Sequence, residues 1–200
     1  MVTTSGPDRR DTGTAGRKAP VTLREFVDRL PETPHFRVEV VNGRVIVSPL
    51  SSPRHSWIVA LLVEAFLPAA RTRGWRVWPG LEVCASWSGE PLVPDFAVGP
   101  RDAPRWGERE VLSDGLVLVA EVVSAAGARE DREDKPHVYA RGGVPLLLVV
   151  DPETEPGSVT LHGDLAYGRY QTVTTVEMGD KLLIPPPIDV TLDTAILLDA

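Results

Sequence analysis

Residues Val117–Asp151 read VLVAEVVSAAGAREDREDKPHVYARGGVPLLLVVD, and this stretch decides the fold. It opens within an apolar run, Leu116–Val123, interrupted only by Glu121. A charged segment, Arg129–Lys135, follows, and then a second apolar run, Val144–Val150. Two short β-rich runs joined by a helix-length connection predict a βαβ unit whose strands are buried on both faces. A carboxylate in such a strand is costly unless it is paired or holds a cation. Glu121 is therefore the first residue to explain.

Around this unit the chain is ordinary in bulk. Its 200 residues suffice for one good core, and 42% apolar against 24% charged residues is a globular balance. No apolar run approaches the roughly 20 residues that span a bilayer, and the N-terminus carries no apolar signal-peptide core. A single cysteine, Cys84, cannot form an intramolecular disulfide, which fits a reducing cytoplasm. Residues 1–20 are Gly, Thr, Arg and Asp with almost nothing apolar, predicting a disordered tail ahead of a single domain over residues 21–200. The net charge is −7, and setting aside the four basic and two acidic residues of the tail leaves 17 basic against 26 acidic, or −9. That balance argues against strong non-specific nucleic-acid binding, which a basic face normally supplies.

Upstream, Thr22–Leu30 has helical apolar spacing, with Thr22 placed to cap and Glu25 three residues on. Phe36–Ser48 predicts a hairpin, its two β-branched runs flanking Asn42-Gly43. Pro53–Thr72 is an amphipathic helix that Pro68 is expected to end or kink. Short strands are expected at Trp75–Trp78, Leu81–Trp87 and Leu92–Val98, then a surface loop over Gly99–Gly115. Beyond Asp151 four further β segments are expected, Ser158–His162, Tyr167–Val176, Lys181–Ile184 and Val190–Leu192.

Asp95 follows Pro94 in one apolar strand, and Glu121 lies in the next. Acids on neighbouring strands can converge on one point and offer oxygen ligands to a hard cation such as Mg²⁺. The plain alternative is that Asp95 caps a turn and Glu121 pairs with an arginine. Glu39 is a third acid, but alternation with Val38 and Val40 in the core would send it to solvent. Lys135 stands out because the chain holds only two other lysines, Lys18 and Lys181, and otherwise prefers arginine. A compact cation suits orienting a water or steadying a phosphate charge. On a helix Lys135 shares a face with Asp131 and Tyr139, although an exposed ion pair with Asp131 is the simpler reading. His55, at the start of the long helix, reads as a surface or capping residue, and no second His or Cys stands at zinc-ligand spacing.

The ordered set is more specific than any member of it. It runs VEVVNG, His55, PDFAV, VAEVVS, D-x-x-x-K-x-x-x-Y, and a Gly-Val followed by an apolar strand ending in Asp-Pro. Over Phe36–Pro152 this resembles the Uma family of restriction endonuclease domain proteins, within the PD-(D/E)XK nuclease-like superfamily. The resemblance implies an α/β fold with a restriction-endonuclease-like mixed central sheet flanked by helices, followed here by an extra β-rich C-terminal segment. It implies metal-binding roles for Asp95, Glu121 and Glu39, with Mg²⁺ or Mn²⁺ as cofactor and DNA as substrate. Lys135 takes the place of a lysine usually held two residues after the second acid, where this chain has Val123. Superfamily members that cut both strands often pair, so a homodimer is implied as well.

Three departures stand beside the match. Pro136 follows Lys135 directly and disfavours the helical region there, so the helix should begin near Lys135. Leu146–Leu148 replace an aromatic pair, and Ala125-Ala126-Gly127 replaces a Pro- and Thr-containing loop. Three functions follow as expectations: a Mg²⁺-dependent endonuclease, with Arg54, Arg71 and Arg73 as a local basic strip; a non-catalytic binding or assembly module on the same fold; and a two-carboxylate glycoside hydrolase using Trp75, Trp78 and Trp87.

Overall fold

The predicted βαβ unit forms. In a computed structural model, strand Leu118–Val122 lies parallel to Leu146–Asp151, with Ala120 opposite Leu148. The structure describes residues 22–31 and 36–200, so the predicted tail lies outside the described residues. In chain order the elements are α1 (Leu23–Asp28), β1 (Phe36–Val41), β2 (Arg44–Pro49), α2 (Pro53–Thr72), β3 (Trp75–Pro79), β4 (Val83–Cys84) and β5 (Pro91–Leu92). Then come β6 (Phe96–Pro100), β7 (Arg105–Trp106), β8 (Glu110–Leu112), β9 (Leu118–Val122) and a π-helical turn (Glu130–Asp134) running into α3 (Lys135–Arg141). The remainder is β10 (Leu146–Asp151), β11 (Ser158–Ala166), β12 (Arg169–Glu177), β13 (Lys181–Ile184) and β14 (Val190–Asp193).

The central sheet is mixed, with strand order β12-β11-β10-β9-β6-β3. Only β9 and β10 run parallel; the other neighbours are antiparallel. The C-terminal segment therefore extends this sheet through β11 and β12, while β13 and β14 form a separate hairpin. The two faces hold separate cores. On one, Leu118, Ala120 and Val122 of β9 pack with Ile58, Leu62 and Phe66 of α2. On the other, Val119 joins Val138 and Tyr139 of α3, Val41 of β1 and Val83 of β4. Complete burial of a side chain such as Leu62 or Phe66 is worth about 1.5–3 kcal/mol, so the α2 face anchors the sheet.

Local signals at the helix and hairpin ends act as expected. Thr22 and Glu25 form a reciprocal capping box on α1. Asn42 and Gly43 both take positive φ, 50° and 72°, as the tight β1–β2 turn requires. Four expectations are corrected. Pro68 does not end α2; it is exposed, so water can reach the carbonyl its missing N–H leaves unpaired. The strand expected over Leu81–Trp87 is confined to Val83–Cys84. The strand expected over Leu92–Val98 breaks at Pro94, which cannot donate to a ladder, so Asp95 precedes β6 instead of lying within it. The surface loop over Gly99–Gly115 contains β7 and β8, the latter parallel to β4 with Val83 opposite Val111. That pairing joins distant segments and leaves no local periodicity. Among the described residues, no helix is long and apolar enough to cross a membrane.

Candidate active site

Alternation along β9 sends Glu121 to the α3 face, the opposite side from Ala120 and Val122. There it is 1% exposed. The β6–β9 register, Phe96 opposite Ala120, puts Asp95 one step beyond the last pair and beside Glu121. Glu39 reaches the same place from β1 and is equally buried, which corrects the expectation of a solvated strand residue. Val40 and Val41 are both buried at this end of the hairpin, so β1 lies against the site and has no solvent-facing side there.

Lys135 stands at the centre. Its Nζ lies 2.9 Å from Glu121 Oε2, 3.0 Å from Asp131 Oδ1 and 3.6 Å from Glu39 Oε1. At 3% exposed it is no surface partner of Asp131. The expectation that Pro136 would push Lys135 out of the helical region is not met: its φ and ψ are −61° and −37°. α3 does begin at Lys135, and the wider π-helical turn before it relieves the crowding that a proline ring causes in a regular α-turn. On the next turn the Tyr139 hydroxyl donates to Glu121 Oε1 at 2.6 Å.

Asp95 is fixed by three donors. The Val122 N–H gives to Oδ2 at 2.7 Å, Arg37 Nη1 to Oδ1 at 3.0 Å, and His55 Nε2 lies 3.1 Å from Oδ2. Burial pushes the Asp95 carboxyl up, but the His55 hydrogen bond and the Arg37 charge outweigh it and hold the carboxyl low. Arg37 also lies 3.6 Å from Glu39 and donates to the Val93 carbonyl. Glu39 Oε1 in turn accepts from the Val93 N–H at 2.8 Å.

Arg37 is the member that sequence reading missed, and the buried His55 corrects its surface reading. Arg37 shares a strand face with Glu39 two residues on, a weak signal that could have been used. His55 belongs to the ordered motif set but reads as a surface or capping residue, whereas it is buried with Nε2 3.1 Å from Asp95 Oδ2. Its Nδ1 is buried without a partner among the described residues.

Four carboxylates, Glu39, Asp95, Glu121 and Asp131, thus meet two fixed cations, Arg37 and Lys135. The acids of the cluster outnumber its cations by two. Burial, and then Asp95, Asp131 and Glu39, push Glu121 well above the usual carboxylate range despite Lys135 beside it. Lys135, surrounded by acids, is held charged against its own burial. An all-oxygen donor set with this surplus fits a hard divalent cation. The oxygens are presently engaged by Lys135, Arg37, Tyr139 and backbone N–H groups, and among the described residues no three His, Cys, Asp or Glu side chains converge as ligands.

The other expected site features separate. Arg54 and Arg71 lie at opposite ends of α2, about 25 Å apart at 1.5 Å per residue, so they form no single strip with Arg73. Trp75 and Trp78 pack against the two cores, and Trp87 lies under the Arg141 guanidinium at 3.6 Å. None lines a saccharide cleft between the acids.

The mixed sheet thus brings a buried acid on its central strand β9 to a lysine on the following helix, with a second acid from the residue just before β6. The chain belongs to the Uma2 family, described as "Putative restriction endonuclease", whose profile matches residues 23–195. It is similar in fold to a crystal structure described as "a putative nuclease belonging to DUF820 from Anabaena variabilis", with 22% identity, a TM-score of 0.68, and coverage of 90% of this chain and 98% of that one. No curated protein matches the chain.

Proposed function

We propose that the chain is a metal-dependent nuclease that hydrolyses DNA phosphodiester bonds at the Glu39–Asp95–Glu121–Lys135 cluster. One observation supports this reading: four carboxylates are buried around two cations in a chain of this family. Such a surplus costs stability, and groups of this kind concentrate where function needs them. Asp95, Glu121 and Glu39 would hold the cation, and Mg²⁺ or Mn²⁺ supplies Lewis-acid neutralisation of phosphate charge when bound. Lys135 orients the attacking water and steadies charge that develops on the phosphate oxygens. Tyr139 fixes the Glu121 carboxylate by its hydroxyl, while Val122 N–H, His55 and Arg37 fix Asp95.

The test is cleavage of supercoiled, linear and single-stranded DNA with Mg²⁺ or Mn²⁺, beside calorimetric Mg²⁺ titration. Asp95→Ala and Lys135→Ala should both lose turnover while circular dichroism shows the fold kept. Mg²⁺ affinity unchanged in Asp95→Ala would overturn the ligand assignment.

A second reading is a non-catalytic binding or assembly module. It is favoured by the internal engagement of the carboxylates and the −9 balance of residues 21–200. It requires that no nucleic acid be hydrolysed with either metal, so turnover abolished by Glu121→Gln refutes it.

A further inference from the structure

The three carboxylates around Lys135 are not alike. Two of them, Glu121 and Glu39, are acids that would hold a cation, and Nζ sits on their oxygens, 2.9 Å from Glu121 Oε2 and 3.6 Å from Glu39 Oε1. There Lys135 competes with any divalent cation for the same oxygens, and the like charges repel. The third, Asp131, belongs to no such set. Its Oδ1 lies 3.0 Å from Nζ, and Lys135 is its only ion-pair partner among the described residues. Asp131 stands on the π-helical turn, which is pinned from both sides. Arg132 reaches Asp151 of β10 with Nε at 2.6 Å and Nη2 at 3.1 Å, and Asp134 takes the Arg44 guanidinium from β2. The Asp131 N–H donates to the Gly127 carbonyl at 3.0 Å. A Cβ on residue 127 would stand 3.3 Å from Asp131 Oδ2, so glycine there keeps the backbone close against the carboxylate. The carboxylate is therefore placed by its own turn and not by Lys135.

We propose that Asp131 is a positioning residue that keeps the Lys135 ammonium in the site once Glu121 and Glu39 are given over to a divalent cation. The proposal rests on the metal-dependent reading above and names the partner which that reading leaves out. Without metal, Lys135 is shared among three acids; with metal bound, it retains Asp131 alone. The two residues are four apart on one helical stretch, so their pairing survives a shift of Lys135 away from β9. Asp95 cannot take this role, because its oxygens already accept from Val122 N–H, His55 and Arg37. A buried ammonium left with no partner would turn out to water. The group that orients the attacking water would leave with it.

The scarcity of lysine makes this directly readable. Lysine occurs at Lys18, Lys135 and Lys181 only. Lys181 is exposed, whereas Lys135 is buried. An amine-reactive reagent therefore reports the release of Lys135, with Lys181 as the internal reference, and needs no turnover.

Acetic anhydride labelling of the full chain, read by peptide mass spectrometry with and without saturating Mg²⁺, tests the role. Calorimetry establishes Mg²⁺ saturation and circular dichroism the fold of each variant. In the wild type the reactivity of Lys135 should stay low and agree within about threefold between the two conditions. In Asp131→Asn, Lys135 should stay protected without metal, held by Glu121 and Glu39, and react about tenfold faster with Mg²⁺ bound. Asp131→Glu, which keeps the charge at the same spacing, should restore protection. A merely structural role would loosen Lys135 equally in both conditions. That result, release of Lys135 by Mg²⁺ in the wild type, or full protection in Mg²⁺-bound Asp131→Asn overturns the proposal. An Asp131→Asn variant that no longer binds Mg²⁺ would make Asp131 a ligand and overturns it too. A wild type that binds no Mg²⁺ fails the metal-dependent reading and the proposal together, whereas the other results fail the proposal alone.

Discussion

The two faces of β9 differ in what holds them together. Toward α2 the strand offers Leu118, Ala120 and Val122, which meet Ile58, Leu62 and Phe66 in an apolar layer. Toward α3 it offers Val119 and then Glu121, which meets Lys135, Tyr139 and three more carboxylates. One residue step, about 3.3 Å, separates the two regimes. The α2 face is held by apolar burial, to which each buried methylene contributes. The α3 face is a balance of large opposing electrostatic effects, in which removing a group can stabilise or destabilise depending on its sign. The α2 side is apolar throughout, whereas the α3 side sets a second apolar core beside the charged cluster.

The comparison can be broken most forcefully at Phe66. Phe66→Ala should cost about 3–5 kcal/mol by leaving a cavity, measured by urea unfolding, while Mg²⁺ affinity of the folded fraction stays within about twofold. A matching loss of metal affinity would show that the faces are coupled. Tyr139→Phe should cost about 2 kcal/mol because Glu121 Oε1 loses its buried donor. Glu121→Gln should go the other way, stabilising by about 1 kcal/mol, since it removes a carboxyl whose ionisation burial and the neighbouring acids oppose, while weakening Mg²⁺ binding. The amide can still serve both neighbours, its oxygen accepting from Lys135 and its N–H donating to the Tyr139 oxygen. A destabilised Glu121→Gln would mean that Lys135 depends on the full charge.

The smallest effect concerns His162 on β11. Burial, with help from His137, holds its pKa below the ordinary histidine value of about 6.5. A depressed histidine favours the folded state fully above its unfolded pKa. Stability should therefore fall as pH drops through about 6.5 and toward the folded pKa. His162→Gln should flatten that part of a stability–pH profile, and an unchanged profile would assign the pH dependence elsewhere.

Much of this was legible from residue order. The βαβ unit, the Asn42-Gly43 hairpin and α2 rest on local periodicity and turn chemistry. Asp95, Glu121 and Lys135 stood out because an acid in an apolar strand and a rare lysine need reasons. Their surroundings did not, because they are made by contacts between distant segments. Arg37 reaches Asp95 across 58 residues and His55 reaches it across 40. Glu39 looked solvated because strand alternation assigns sides without saying what covers each side. β7 and β8 escaped for the same reason, since β8 is held by β4 and not by a pattern of its own.

The π-helical turn at Glu130–Asp134 bears on how the site is assembled. A wide turn amounts to one extra residue absorbed by a helix, the smallest length change a chain can take without moving its neighbours. The lysine's position is therefore set by length as well as by identity: at 100° per residue, one residue fewer would swing Asp131 away from Lys135. Counting two residues on from Glu121 finds Val123, packed in the core beside Val119, where a spacing rule expects a lysine. In this chain the site is set by which side chains meet, Lys135 with Glu121 at 2.9 Å, and not by how many residues lie between them.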